Sequence, residues 1–142
     1  MNIRPAHIND TVGILKIWRV SQRLYDNLVP DYEKQRKVVA EAVSNSFHCC
    51  VVAGEKDNLT GVLMALSANN LWAQRKNCAI MLWEAEDKET GLFLVDYFKG
   101  WLQPKRGIKI AHFTADRDDD FRGVLLEERG FKKSGGYYIV NN

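Results

Sequence analysis

Two continuous apolar runs, "FHCCVVAG" (Phe47 to Gly54) and "LTGVLMALSA" (Leu59 to Ala68), with a third run, "CAIMLWEAE" (Cys78 to Glu86), constrain this chain more than anything else in it. Successive side chains of a strand point to opposite faces, so a continuous apolar run needs cover on both sides. The polar turn "EKDN" between the first two predicts a hairpin buried on both faces.

Helical spacing supplies the cover. After the capping cluster Asn9-Asp10-Thr11, the residues Ile14, Ile17, Trp18, Ser21 and Tyr25 recur at helical intervals. Asp31 then precedes "YEKQRKVVAEAVSNS", a second helix with Tyr32, Val39, Ala42 and Val43 on one face. Beyond the looser stretch "NNLWAQRK" and the third apolar run, "LFLVDYFKGWL" places Leu94, Val95, Phe98, Trp101 and Leu102 on one helical face, with Gly100 as a weak spot. Pro104 and Gly107 end that helix, and "IKIAHFTA" reads as a strand. "DDDFRGVLLEERG" reads as a short helix with Phe121, Val124 and Leu125 inward and Gly130 as its C-cap. A short strand from Asn2 to Pro5 opens the chain, and a hairpin around Gly135-Gly136 closes it. The order is β-α-α-β-β-β-α-β-α-β-β, one α/β domain over residues 1–142. It has no repeats, linkers or internal boundary.

Composition narrows the classes. At 142 residues and 46% hydrophobic the chain suits one core, and a net charge of +2 provides no basic field to argue for nucleic acid or an anionic membrane. The opening "MNIRPAHINDT" lacks a signal-peptide core, and no apolar run approaches the roughly 20 residues that span a bilayer. The expected compartment is the cytoplasm. Cys49, Cys50 and Cys78 are odd in number and lie in apolar strands, so they read as buried free thiols. Adjacent Cys49 and Cys50 should face opposite ways, which argues against a zinc site with His48. Trp72 and Trp83, at strand ends, offer a hint of a protein contact.

The element order, the terminal block "LLEERGFKKSGGYYIV" and the opening "IRPA" running into a long helix resemble the GNAT superfamily of acyl-coenzyme A dependent N-acetyltransferases. The resemblance covers essentially the whole chain. It implies a mixed central sheet of about six to seven strands with about four helices. It also implies two parallel strands, Cys78 to Glu86 and Gly107 to Thr114, that splay to admit the pantetheine arm of acetyl-CoA. The helix after the first of them would point its N-terminal amides at the pyrophosphate. The cofactor-binding residues so implied are Leu82, Trp83 and Glu84 on the strand and Lys88, Thr90 and Gly91 at the helix start.

At that junction, "EAEDKETG" departs from the family's Gln/Arg-x-x-Gly-x-Gly/Ala loop. Gly91 matches the last small residue, but Glu86 stands at the Gln/Arg position and Glu89 at the first Gly. A carboxylate ~4 Å from a phosphate oxygen repels it by about 4 kcal/mol at an effective dielectric near 20. Asp87 and Glu89 also fit an ordinary acidic first turn that complements the helix dipole. Lys88, or Arg75 and Lys76 from the preceding loop, could restore a phosphate contact.

Amine acetylation needs a base for the ammonium proton and often an acid for the departing thiolate. The family's usual acid, a Tyr in the last helix, aligns with Leu126, and Asp119 stands where many members have Asn. The substitutes as catalytic residues are Glu84, acting through water, and His112 on the other splayed strand, with Glu86 also at the strand end; Tyr137 and Tyr138 read as packing residues. Two functions are therefore expected. One is an N-acetyltransferase moving an acetyl group from acetyl-CoA to a primary amine of a small molecule or protein. The other is a catalytically inactive GNAT-fold binding or structural module, such as a bacteriophage virion or host-targeting protein, that has lost acetyl-CoA binding and engages a protein partner. No metal is expected.

Overall fold

A computed structural model of the chain describes residues 2–22, 31–69, 76–102, 108–114, 122–134 and 137–141. Tyr25, Trp72, Arg75, Pro104, Gly107, Asp119, Phe121 and the Gly135-Gly136 turn lie outside them. The elements, in chain order, are β1 (Ile3–Pro5), α1 (Thr11–Gln22), α2 (Tyr32–Ser44), β2 (Cys49–Glu55), β3 (Asn58–Asn69), β4 (Lys76–Ala85), α3 (Lys88–Trp101), β5 (Ile108–Thr114), α4 (Arg122–Glu128), β6 (Lys132–Ser134) and β7 (Tyr137–Asn141). A 3-10 turn, Ile8–Asp10, leads into α1.

Strands β1 to β4 form an antiparallel sheet of four, each paired with its sequence neighbour. The ladder continues through a parallel β4–β5 pair, and β7 then inserts between β5 and β6. Ile80 and Ile110 thus sit on adjacent strands, as the proposed alignment requires.

The apolar runs are covered on both faces. Toward α3 and α4 lie Cys49, Val51, Ala53, Leu63, Ala65, Cys78, Ile80 and Trp83, packed with Leu94, Val95, Phe98, Leu126 and Phe131. Toward α1 and α2 lie Cys50, Val52, Val62, Met64 and Leu82, packed with Ile14, Leu15, Val39 and Ala42. Cys49 and Cys50 do face opposite ways, and all three cysteines are buried free thiols. Burial pushes Cys50 up to about 12 and Cys78 up to about 11, so neither is a thiolate at neutral pH.

The helix caps follow from local chemistry. Asp31 accepts the Lys34 backbone N–H at 3.0 Å to start α2. Gly130, with φ +86°, ends α4 in a Schellman motif: Phe131 N–H donates to the Leu126 carbonyl and Gly130 N–H to that of Glu127. The accompanying apolar contact joins Leu126 and Phe131, each 2% exposed. A second glycine, Gly61 on β3, has a steric role. A Cβ there would come within 3.0 Å of Leu94 and 3.1 Å of Thr90, so α3 lies directly across the sheet at this point.

Three inward or outward assignments change. Tyr32 is 51% exposed and stacks under the Arg19 guanidinium; the buried residue on its turn of α2 is Gln35, one turn before Val39. Val124 is 61% exposed, because the inward face of α4 is Leu125–Leu126. Trp83 is 8% exposed and belongs to the core, so it offers no surface for a protein contact.

Candidate functional site

The site is built on the point where β4 leaves β5. Their parallel ladder runs from Lys76↔Ile108 to Ile80↔Phe113, and among the described residues it stops there. Strand β4 continues for five residues, Met81 to Ala85, paired only with β3. Among the described residues the β4–β5 ladder does not extend along this segment.

Met81 marks the parting with a bulge. Met64 pairs with Leu82 and Ala65 with Ile80, so Met81 is the extra residue on β4. One inserted residue reverses which face every later side chain occupies. Cys78 and Ile80 point toward α3. After the bulge, Trp83 and Ala85 point that way, while Leu82 and Glu84 face α1. Without the bulge, Glu84 would point into the α3 core. With it, Glu84 is half-buried and its Oε1 accepts a 2.8 Å hydrogen bond from the Ser21 hydroxyl on α1.

The strand then runs into α3 through Glu86 and Asp87. Glu86 N–H donates to the Thr60 carbonyl, which holds the chain to β3 up to the turn. Asp87 is the N-cap of α3, its Oδ1 accepting the Thr90 backbone N–H at 2.7 Å. That bond, together with one from the Thr90 hydroxyl, holds the Asp87 carboxyl below the usual carboxylate range. Trp83 locks the turn from below, donating its indole N–H to the Gly91 carbonyl at 3.1 Å. A side chain at Gly91 would meet Trp83 at 3.6 Å and Ala85 at 3.7 Å, ordinary contacts, so Gly91 is packed against the strand.

Of the residues expected to hold the coenzyme, Leu82, Trp83 and Thr90 have buried side chains and Gly91 has none, so these four can offer a ligand only backbone groups, whereas Lys88 is exposed. Glu86 and Glu89 are exposed beside the same turn. The two candidate proton acceptors are separated: Glu84 lies on the parted segment, while the backbone of His112 pairs with Ala79, inside the closed part of the ladder. Leu126 is core. In the sequence Ser21 is only one position on a helical stripe. Its one signal was a hydroxyl where the spacing of Ile14, Ile17 and Trp18 calls for an apolar residue.

Solved structures of similar fold match nearly the whole chain. An acetyltransferase of the GNAT family from Streptococcus pneumoniae superposes with a TM-score of 0.74, covering 97% of this chain and 95% of its own at 14% identity. The chain has the GNAT acetyltransferase fold. A ribosomal-protein-alanine N-acetyltransferase from Brucella melitensis matches over 100% of both chains at 12% identity, with a TM-score of 0.77. NAA60 from Arabidopsis thaliana, in complex with a bisubstrate analogue, matches over 99% of this chain and 97% of its own at 9% identity, with a TM-score of 0.74. No protein-family model and no curated protein matches the sequence. Among the described residues, no helix is long and apolar enough to cross a membrane.

Proposed function

We propose that this chain, as one domain over residues 1–142, is a cytoplasmic N-acetyltransferase that moves an acetyl group from acetyl-CoA to a primary amine of a small molecule or protein. The observation that carries the reading is the parting of β4 from β5 after Ile80↔Phe113, with β4 running on into the start of α3. The extended backbone of Leu82, Trp83 and Glu84, beyond the β4–β5 ladder, fits a ligand rich in amides, such as the pantetheine arm. Lys88, Thr90 and Gly91 fit the phosphates less well, because the Asp87 carboxylate already takes the Thr90 amide. A phosphate there must displace that carboxylate or sit to one side of it, with Lys88 as the nearby cation.

Bound acetyl-CoA supplies the activated acetyl thioester. Glu84, directly or through water, takes the proton the acceptor ammonium must lose before its nitrogen can attack. The new C–N bond forms as the C–S bond breaks, and the sulfur leaves as thiolate or takes a proton from solvent. Leu126 has no proton to give. His112 is the second candidate base; the register favours Glu84 because it lies on the open segment. Isothermal titration with acetyl-CoA, followed by a thiol-release assay against a panel of amines, tests this. Micromolar to sub-millimolar binding is expected, and no binding at millimolar coenzyme removes the enzyme.

A second reading, a GNAT-fold module that has lost acetyl-CoA and serves as a binding or virion component, is favoured by the Asp87 cap and by Leu126 buried against Phe131. Under it, wild type binds no coenzyme, and the double variant Glu86→Arg with Glu89→Gly creates binding. Wild-type affinity in the micromolar range would sink it.

A further inference from the structure

We infer that Ser21 is a positioning residue that fixes the carboxylate of Glu84 for the acetyl-transfer step, an inference that rests on the N-acetyltransferase reading above. Two independent features bring the pair together across 63 residues of sequence. The Met81 bulge turns Glu84 out of the α3 core toward α1. Helix α1, seated by Ile14 at 0% and Leu15 at 7% exposure, then presents Ser21 at the end of its inward stripe, where its hydroxyl donates to Glu84 Oε1 at 2.8 Å.

The chemistry of this pair suits orientation. A glutamate side chain has three rotatable bonds, and freezing them costs rotamer entropy that a half-buried strand-end residue gives up only where a contact holds it. A serine has one short torsion and sits on a packed helix, so it can hold the carboxylate with little entropic loss of its own. The carboxylate offers two oxygens and about four lone-pair sites, so one hydrogen bond orients it and leaves capacity to accept a proton. If Ser21 served only to join α1 to the sheet, an apolar residue on that stripe would do the same with less desolvation.

The experiment compares steady-state acetyl transfer, read by thiol release, for wild type and the variants Ser21→Ala, Ser21→Thr, Glu84→Gln and Ser21→Ala with Glu84→Gln. All are screened first by thermal melting. Ser21→Ala should lower kcat about tenfold to a hundredfold, the scale expected when a reacting group is misplaced by about an ångström. KM for acetyl-CoA and the melting temperature should stay near wild type. Ser21→Thr, which keeps the hydroxyl, should recover most of kcat. In the Glu84→Gln background, losing Ser21 should cost nothing more. An active wild type with Ser21→Ala equal to it, or with the same loss in both backgrounds, or with the loss confined to KM, overturns the inference and leaves the enzyme reading standing. A wild type that transfers no acetyl group removes both.

Discussion

The start of helix α1, which carries Ser21 to Glu84, is clamped by an ion pair that a single substitution can break. Arg4 on β1 donates to Asp10 in a bidentate pair, Nη1 to Oδ2 at 2.7 Å and Nη2 to Oδ1 at 2.9 Å, and His7 N–H donates to the same Oδ2 at 2.7 Å. Asp10 is 1% exposed and the Arg4 side chain 26%. Asp10→Asn keeps the shape but sets an amide donor against guanidinium donors and removes the compensating charge. Breaking one side of a buried pair costs about 3–5 kcal/mol, and the water still reaching Arg4 brings the expectation to about 2–3 kcal/mol. For a chain of this length that is a fall in Tm of roughly 10 °C. Urea unfolding followed by circular dichroism reads it as a lower midpoint at unchanged slope.

The pH dependence adds a sign. Hydrogen bonding to Arg4, which outweighs the opposing effect of burial, holds the folded-state Asp10 carboxyl below its ordinary range. Its contribution is therefore complete above the unfolded-state value near 4 and is lost as pH falls through the lower folded value. The gap between wild type and Asp10→Asn should be constant from pH 8 to about 5 and shrink below about 4. A loss under about 0.5 kcal/mol at neutral pH, the scale of an exposed pair, would refute the clamp.

Two further substitutions test the packing. Gly100, exposed near the end of α3, has no neighbour within 4 Å of an added Cβ. Gly100→Ala should therefore stabilise by about 1 kcal/mol, seen as a higher urea midpoint; a loss would mean the helix end is strained in some other way. Leu126→Tyr introduces the acid that the GNAT resemblance implies at this position but forces a ring and hydroxyl into a core position that is 2% exposed. A loss of about 1–3 kcal/mol without a gain in transfer rate is expected, and a stable variant with faster transfer would show that the side chain reaches the cleft instead.

Much of the fold was legible because change of hydrophobic period marks elements, and Asp31, Asp87 and Gly130 punctuate them chemically. The bulge was not legible. From Cys78 to Trp83 every residue of "CAIMLWEAE" is apolar, so around Met81 no alternation exists from which a one-residue shift could be read. That shift decides where Glu84 and Trp83 point, so the expected surface role of Trp83 failed for the same reason. Tyr32 and Val124 fit an apolar stripe by spacing alone, but each lies at the edge of its stripe, where the neighbouring helix or sheet fails to cover it. Contacts between distant residues, Ser21 with Glu84 above all, depend on tertiary placement that periodicity does not encode. The acidic turn was legible as a conflict, and the structure sharpens it to one atom: Asp87 Oδ1 on the Thr90 amide.

The central claim is that the parted segment of β4 and the first turn of α3 receive acetyl-CoA. A titration of the isotopically labelled protein with acetyl-CoA, followed by backbone amide NMR shifts, tests it most directly. Saturable perturbations concentrated at Met81 to Ala85 and Lys88 to Gly91 are expected. Amides in these segments that stay unmoved at millimolar coenzyme, or perturbations confined to the β1 or β6 edge, would contradict it.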